Sequence, residues 1–231
     1  MAKKALVTGG TKGIGLSTTI KLKELGFDVT VVGRDFSNFK VDGVKTIYFD
    51  LSNIDELPSL VEEVGDIDVL VNNAGIDRQK TFDDYPKADI EKIVNVNLKT
   101  PVELITLFAP ALEKNNGRVV NVASQAAEIG HRDIWYGITK AGLVNATKSF
   151  AGILGPKGVQ VNAVAPGPVE TTMIENSKYN DRFENLKNRT ILGRIAKPDE
   201  VADAIIWLAT DAPEYINGET IDVNNGAQRI K

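Results

Sequence analysis

Tyr136 and Lys140 are the residues whose types and spacing point most directly to acid–base chemistry. They lie four positions apart at the start of a predicted helix, Trp135–Leu154, so their side chains share one face of that helix. A phenol with its ordinary pKa of about 10 is a poor acid–base catalyst near neutral pH. Because a neighbouring ammonium favours the phenolate, we expect Lys140 to lower the pKa of Tyr136. The same spacing is also common on exposed helices, so the pair alone does not decide the function.

Ser124 adds a hydroxyl twelve residues before Tyr136, just after the predicted strand Arg118–Val122. This is the carboxyl end of a strand, where doubly wound sheets bind their ligands. A hydroxyl at this point can hold a carbonyl oxygen while the tyrosine supplies a proton. A serine hydrolase is excluded, because the local sequence VASQA is not G-x-S-x-G and His131 lacks the setting of a general base.

The first predicted strand ends in a glycine-rich loop, TGGTKGIG, that leads into a helix. Such a loop gives a tight turn, a close backbone approach to a pyrophosphate, and a helix N-terminus whose free N–H groups favour anions. A turn that only packs the helix on the strand is the alternative. No G-x-x-x-x-G-K-[ST] motif occurs, so a P-loop NTPase is excluded. The loop residues predicted to contact the dinucleotide are Gly9, Thr11, Lys12, Gly13, Ile14 and Gly15.

The end of the second predicted strand bears on the choice between NAD and NADP. An acidic residue near this point binds the ribose 2′-hydroxyl of NAD, whereas an arginine accommodates the 2′-phosphate of NADP. Here Arg34 follows the strand, and Lys12 adds a second cation from the glycine loop, so we expect NADP(H). Asp35 keeps NAD(H) open as the alternative, and both cations could instead be solvated surface charges.

Short β-rich runs alternate with longer helical stretches along the chain, which predicts βαβ crossovers and a mainly parallel sheet. The predicted strands are Ala5–Thr8, Asp28–Val32, Lys45–Phe49, Val69–Asn72, Arg118–Val122, Val159–Val164 and Thr220–Val223. The predicted helices include Gly15–Leu25, Asp89–Glu113, Trp135–Leu154 and Pro198–Ala209. We therefore expect an α/β fold: a doubly wound, mainly parallel, seven-stranded Rossmann sheet with helices on both faces. We expect one domain over residues 1–231, with a substrate lid around 168–197.

Composition excludes several other classes of function. With no cysteine and one histidine, neither a disulfide nor a thiolate or histidine metal site is expected. With a net charge of −4, the chain has no excess of positive charge that would favour binding to nucleic acid or to an anionic membrane. No apolar run is long enough to span a bilayer, and the N-terminal residues leave no room for a signal peptide, so we expect a cytoplasmic protein.

Taken in order, these motifs resemble those of the compact, single-domain branch of the short-chain dehydrogenase/reductase family, and specifically 3-oxoacyl-[acyl-carrier-protein] reductases. The resemblance runs from Leu6 to Gly226 and is specific because the motifs occur jointly. They are T-G-x-x-x-G-x-G from Thr8, Asp50-Leu51, N-N-A-G from Asn72, Asn97, Ser124, Y-x-x-x-K from Tyr136, and P-G-P-V-E-T from Pro166.

The resemblance implies a role for each matching residue. Ser124 would anchor the carbonyl, Tyr136 would be the acid–base catalyst, and Lys140 would also bind the cofactor ribose. Asn97 would kink its helix and hold a water linking Lys140 to solvent. The cofactor would further contact Asp50 and Leu51 at its adenine, Asn73, Ala74 and Gly75 at its adenosine ribose, and Pro166, Gly167, Val169 and Thr171 near its nicotinamide.

The implied activity is an NADP-dependent carbonyl reductase or alcohol dehydrogenase acting on a ketone or secondary alcohol, with a 3-oxoacyl thioester among the expected substrates. The expected partners are acyl carrier protein and further copies of the chain, in a homotetramer or homodimer, and Lys114 and Lys157 could serve carrier docking. A dinucleotide-binding sensor without catalysis is the alternative. The chain departs from the family at Asp35–Val44, where about ten residues stand in place of a full helix beside the expected 2′-phosphate site.

Overall fold

In the computed structural model, which describes residues 2–171 and 185–227, seven strands form one sheet. They are β1 (Lys4–Thr8), β2 (Asp28–Gly33), β3 (Lys45–Tyr48), β4 (Val69–Asn72), β5 (Arg118–Val122), β6 (Gln160–Pro166) and β7 (Thr220–Val223). Every pair is parallel, and the strand order is β3-β2-β1-β4-β5-β6-β7. The expected doubly wound Rossmann sheet is confirmed. The first and last residues of each predicted strand differ by at most two positions from those of the observed strand.

The helices lie on both faces of this sheet. Within the described part of the chain, the α-helices of four residues or more are α1 (Gly13–Glu24), α2 (Leu57–Val64), α3 (Lys87–Val94), α4 (Thr100–Asn115), α5 (Ala126–Ile129), α6 (Ile134–Leu154) and α7 (Pro198–Thr210). The helix predicted over Asp89–Glu113 is divided, because a π-helical turn at Asn95–Lys99 joins α3 to α4.

Two apolar clusters, one on each face, hold the helices to the sheet. On one face, Leu22 of α1 and Ile205 of α7 pack against strand residues such as Val29 and Val71. On the other, α2, α4 and α6 pack against strand residues that include Leu70. Strands covered on both faces must be apolar at nearly every position, which explains the unbroken runs of valine, leucine and isoleucine.

The connection between β2 and β3 contains no helix, as the sequence predicts. Phe36 and Phe39 pack edge to face, with ring centroids 6.0 Å apart, and both rest against the apolar cluster that contains α1. The ammonium of Lys23 donates to the carbonyl of Gly43 at 2.9 Å and fixes the far end of the connection. Two aromatic side chains thus cover apolar surface at the end of the sheet near β3.

The segment expected to form a lid, 168–197, is described only in part, since 172–184 lie outside the described residues. Its two ends meet in a parallel bridge between Val169 and Ala196. The N–H of Glu170 donates to the carbonyl of Ala196 at 2.8 Å, and the N–H of Ala196 donates to the carbonyl of Pro168 at 3.0 Å.

Among residues 2–171 and 185–227, no helix combines the length and apolarity needed to cross a bilayer.

Candidate active site

The strand order reverses between β1 and β4, and open α/β sheets bind ligands beyond the carboxyl ends of the strands at such a point. A cleft of about 840 Å³ opens there, within the roughly 300–1,000 Å³ of small-molecule and cofactor sites. All the candidate residues except Gly15 and Asn97 line it. The structure therefore brings together groups that lie up to about 160 positions apart in the sequence.

The glycine loop forms one wall of the cleft. Gly9 and Gly13 have φ angles of +66° and +54°, in the left-handed region that favours glycine. Gly15 faces inward, because a Cβ there would lie 2.3 Å from the carbonyl oxygen of Gly9. The Asn73 side-chain amide donates to the carbonyls of Thr8 and Gly9, both at 3.0 Å, and so fixes the loop against the end of β4. The loop leaves its backbone free to approach a ligand.

The two cations that favour NADP both line the cleft, but they have acidic neighbours. The Arg34 guanidinium lies 3.4 Å from a carboxylate oxygen of Asp50. Asp35, the residue that would favour NAD, accepts hydrogen bonds from the backbone N–H and hydroxyl of Ser37. These bonds, together with the charge of Lys12, lower the pKa of Asp35. Asp35 is thus an exposed carboxylate held in its own turn, beside both cations.

Ser124 and Tyr136 meet at the inner end of the cleft. The Ser124 hydroxyl oxygen accepts from the N–H of Ala126 at 3.1 Å, which fixes its position just after β5. It lies near the hydroxyl of Tyr136, which comes from the first turn of α6, and favours ionisation of that phenol. Two hydroxyls side by side can hold one carbonyl oxygen between them.

Lys140 lies one helical turn after Tyr136 and is almost completely buried, with 3% of its surface exposed. Its ammonium donates to the carbonyl oxygen of Val122 at 2.7 Å and lies 5.8 Å from the centre of the Tyr136 ring. Burial lowers the pKa of Lys140 to about 8. An ammonium has three donors, so two remain to bind hydroxyl groups in the cleft.

The expectation that Lys140 lowers the pKa of Tyr136 is wrong for this geometry. Burial raises the pKa of Tyr136 to about 12; the Ser124 hydrogen bond opposes this rise, and the charges of Asp77 and Asp133 add to it. Lys140 points its ammonium at a backbone carbonyl rather than at the phenol oxygen. The tyrosine therefore keeps its proton at neutral pH, as a proton donor requires.

Asn97 lies outside the cleft, in the π-helical turn, and is fully buried. Its side-chain oxygen accepts from the N–H of Ile76 at 2.8 Å, and its amide donates to the carbonyl of Ile76 at 2.9 Å. A weaker bond of 3.3 Å reaches the hydroxyl of Thr139 in α6. Asn97 therefore holds the loop after β4 against α6, a contact that sequence reasoning did not predict.

Two carboxyl groups that sequence reasoning missed lie beside Tyr136. Asp133 caps the N-terminus of α6 by accepting from the N–H of Tyr136, and Asp77 lines the cleft. The signal for Asp133 is in the sequence, because an aspartate just before a helix is a preferred N-cap. Asp77 has no such signal, since it reaches Asp133 only through the fold.

The loop after β6 approaches the glycine loop from the other side. A Cβ on Gly167 would lie 2.9 Å from Cα of Asn224, so only glycine fits there without a shift. The methyl group of Thr171 lies 3.2 Å from the point where a Cβ of Gly13 would stand. Both loops thus border one continuous groove.

The two lysines considered for carrier docking are paired with carboxylates. The Lys114 ammonium lies 2.7 Å from Asp66, and the Lys157 ammonium lies 2.7 Å from Glu113. Neither residue lines the cleft. They provide little free positive charge for an acidic partner.

Comparison with known proteins places this arrangement in a family. The profile described as "Enoyl-(Acyl carrier protein) reductase" matches residues 9–228. The chain belongs to the short-chain dehydrogenase/reductase family. It is 35% identical to the 3-oxoacyl-[acyl-carrier-protein] reductase FabG of Thermotoga maritima, over 97% of each chain. The FabG of Aquifex aeolicus is 36% identical, over 97% of this chain and 96% of its own.

A solved structure of a short-chain dehydrogenase/reductase family protein superposes with a TM-score of 0.90 at 32% identity. The superposition covers 99% of this chain and 98% of the chain in that solved structure. This short-chain dehydrogenase/reductase is therefore an oxidoreductase with a Rossmann fold, and it is similar to 3-oxoacyl-[acyl-carrier-protein] reductases.

Proposed function

We propose that the chain is an NADP(H)-dependent carbonyl reductase, working in reverse as an alcohol dehydrogenase, that interconverts a ketone and a secondary alcohol. The observation that carries the proposal is the meeting of Ser124, Tyr136 and Lys140 in the cleft that the glycine loop also lines. Two hydroxyls beside a buried ammonium, in a cleft that the glycine loop lines, support reduction of a carbonyl better than any hydrolytic chemistry.

The cleft suits a nicotinamide dinucleotide. The glycine loop leaves its backbone free to approach a ligand, and a Cβ at Gly15 would displace the backbone of Gly9, which lines the cleft. Gly9, Thr11, Gly13 and Ile14 would hold the pyrophosphate at the start of α1, where free N–H groups favour anions. A bound nicotinamide supplies or accepts the hydride in such a reaction.

Further residues of the cleft would bind the rest of the dinucleotide. Lys12 and Arg34 would face a 2′-phosphate, and Lys140 would donate to ribose hydroxyls. Asp50 and Leu51 would border the adenine, with Asn73, Ala74 and Gly75 along its ribose. The nicotinamide end would lie beside Pro166, Gly167, Val169 and Thr171.

The chain's own catalytic step is delivery of a proton. The Ser124 hydroxyl would donate to the substrate carbonyl oxygen and hold it beside the Tyr136 hydroxyl. As negative charge develops on that oxygen, Tyr136 would transfer its proton to it. The raised pKa of Tyr136 supports the direction of reduction, because the phenol enters the reaction protonated. Asn97 would act by holding the loop after β4 in place.

For the substrate and partners, the names of the relatives favour a 3-oxoacyl thioester carried by acyl carrier protein. The ion pairs of Lys114 and Lys157 weigh against docking of the carrier at those two lysines. We also infer a homotetramer that uses α4 and α6. Ile134 and Ile138, four positions apart on α6, are 45% and 50% exposed and would be covered in such an interface.

The test is turnover of NADPH with a panel of ketones, including a 3-oxoacyl thioester. Tyr136→Phe removes the proton donor and leaves the ring, so we expect kcat/KM to fall roughly 10²–10⁴-fold. Tyr48→Phe is the matched control, since Tyr48 is 73% exposed and does not line the cleft. Retained turnover in Tyr136→Phe would contradict the assigned role. Binding of NADPH with no turnover of any ketone by the wild type would favour a dinucleotide-binding sensor.

A further inference from the structure

The carboxylate of Asp133 joins the catalytic helix to the segment after β4. It is 1% exposed. One oxygen accepts from the N–H of Tyr136 at 3.0 Å, and the other accepts from the N–H of Arg78 at 3.1 Å. The hydroxyl of Tyr85 lies 3.1 Å from both oxygens. A single buried side chain therefore fixes the first turn of α6, which carries the catalytic tyrosine, against residues 77–85.

Asp77 forms a carboxyl pair with Asp133. The carboxylate of Asp133 is close enough to Asp77 for its charge to disfavour ionisation of Asp77. The Asp77 carboxyl also accepts from the N–H of Gln79 at 2.8 Å. Burial and the neighbouring Asp133 raise the pKa of Asp77. Asp77 thus keeps its proton to a higher pH than an exposed aspartate would.

Both carboxyls act on the phenol of Tyr136, because negative charge nearby disfavours the phenolate. The other groups that face this cluster differ in effect. The Ser124 hydroxyl favours the phenolate through its hydrogen bond, and the Lys140 ammonium is directed at Val122. The ring of His131 lies 4.9 Å from that of Tyr136, and its Nδ1 lies 3.2 Å from the N–H of Asp133. The Arg78 guanidinium is paired with Asp89, on α3.

We propose that Asp133 and Asp77 are positioning residues for the proton donor of this enzyme. Asp133 sets the place of Tyr136 by capping α6 and anchoring residues 77–85 to it. The charge of the pair keeps the Tyr136 hydroxyl protonated, so that it can donate to a substrate oxygen. The inference rests on the proposed function for the role of Tyr136 as proton donor, whereas the electrostatic effect can be measured without any reaction.

The test follows the ionisation of Tyr136 itself, by NMR of protein labelled at the tyrosine ζ-carbon. Tyr136→Phe assigns the signal among the five tyrosines of the chain. At the alkaline pH where Tyr136 ionises, both carboxyl groups are charged. Asp77→Asn then removes one charge without touching the helix cap, and Asp133→Ser removes the other while keeping an N-cap oxygen. We expect each variant to lower the pKa of Tyr136 by about one unit. The control is Asp84→Asn, an exposed carboxylate in the same segment whose side chain is 76% accessible.

The pH profile of kcat provides a second readout. In each of the two charge-removing variants, the alkaline loss of reductase activity should move to lower pH by the same amount as the NMR titration. If neither variant moves the Tyr136 titration relative to Asp84→Asn, the proposal is wrong, even where activity falls. If the titration moves but the wild type reduces no carbonyl substrate, the proposed function fails and the electrostatic inference stands.

Discussion

Lys140 is a buried cation whose only hydrogen-bonding partner among the described residues is the carbonyl of Val122. Burying an ammonium in this way costs free energy, and its lowered pKa of about 8 reflects that cost. The cleft keeps this unfavourable charge at the point where a bound ribose would accept from it. Function and stability therefore oppose each other at this residue.

This opposition predicts how stability depends on pH. Between about pH 8 and the ordinary lysine value of 10.5, the folded chain loses the Lys140 proton while the unfolded chain keeps it. The free energy of unfolding should therefore rise with pH across this window, relative to a Lys140→Met variant. Denaturant titrations at several pH values measure this difference. Lys148→Met, which removes an exposed lysine of the same helix, is the matched control; an equal pH trend in both variants would contradict the prediction.

At the residue scale, the sequence predicted side chains that lie close together along one helix or directly after a strand. It did not predict side chains that come into contact only when distant parts of the chain fold together. Tyr136 and Lys140 share a helix, and Ser124 directly follows a strand, so periodicity and topology were enough to bring them together. The effect of Lys140 on Tyr136 was predicted wrongly, because spacing does not show that the ammonium turns toward Val122. Asp77 and Asp133 are 56 positions apart, and no periodicity joins them.

At the scale of elements, the start of α7 shows how a residue of an exposed ion pair can also cap a helix. The Glu200 carboxylate accepts from the N–H of Lys197 at 2.8 Å, which satisfies one of the free donors at the helix start. The same carboxylate forms two bonds of 2.7 Å with the guanidinium of Arg194. These contacts lower the pKa of Glu200 to about 2, with the Arg194 bonds contributing most.

We expect Glu200→Ala to lower the free energy of unfolding by about 1 kcal/mol, the usual worth of a helix cap. Glu200→Gln should lose less, because an amide oxygen can still accept from the Lys197 N–H. The wild type should have a larger free energy of unfolding than Glu200→Gln. This difference should be fully present above about pH 4.5, the ordinary pKa of a glutamate, and should disappear as the pH falls toward 2. Urea denaturation of both variants at pH 7 and pH 3 measures it. Equal losses in the two variants would mean that the cap contributes nothing.

The sequence predicted long and strongly apolar elements well and short ones poorly. The β-strands were found because both faces of the sheet are covered, which makes their sequences apolar throughout. Helices α2 and α5 were not predicted, since eight and four residues give too little periodicity. The π-helical turn was also missed, because one extra residue in a turn leaves no mark on the pattern of apolar positions.

On the scale of the whole molecule, a net charge of −4 surrounds a cleft that contains Lys12 and Arg34. We expect NADPH to raise the thermal midpoint more than NADH does. A ligand at 100 times its dissociation constant adds about 2.7 kcal/mol, which differential scanning fluorimetry detects easily. Arg34→Gln should reduce the difference between the thermal shifts that NADPH and NADH produce.

Two further variants make that measurement decisive. Lys40→Gln removes an exposed cation from the connection between β2 and β3 without touching the cleft. It should leave the difference between the NADPH and NADH thermal shifts unchanged. Asp35→Asn tests the opposite assignment. If it weakens NADH and leaves NADPH unaffected, Asp35 contacts the ribose, and the short connection between β2 and β3 favours NAD instead.

The bridge between Val169 and Ala196 has a consequence for how the chain tolerates insertions. Backbone hydrogen bonds at this bridge join position 169, just after β6, to position 196, just before α7. Doubling the length of a flexible connection costs only about 0.6 kcal/mol in closure entropy. Residues inserted between these two joined positions should therefore leave the sheet and its core almost as stable as before, which urea denaturation of an insertion variant would measure.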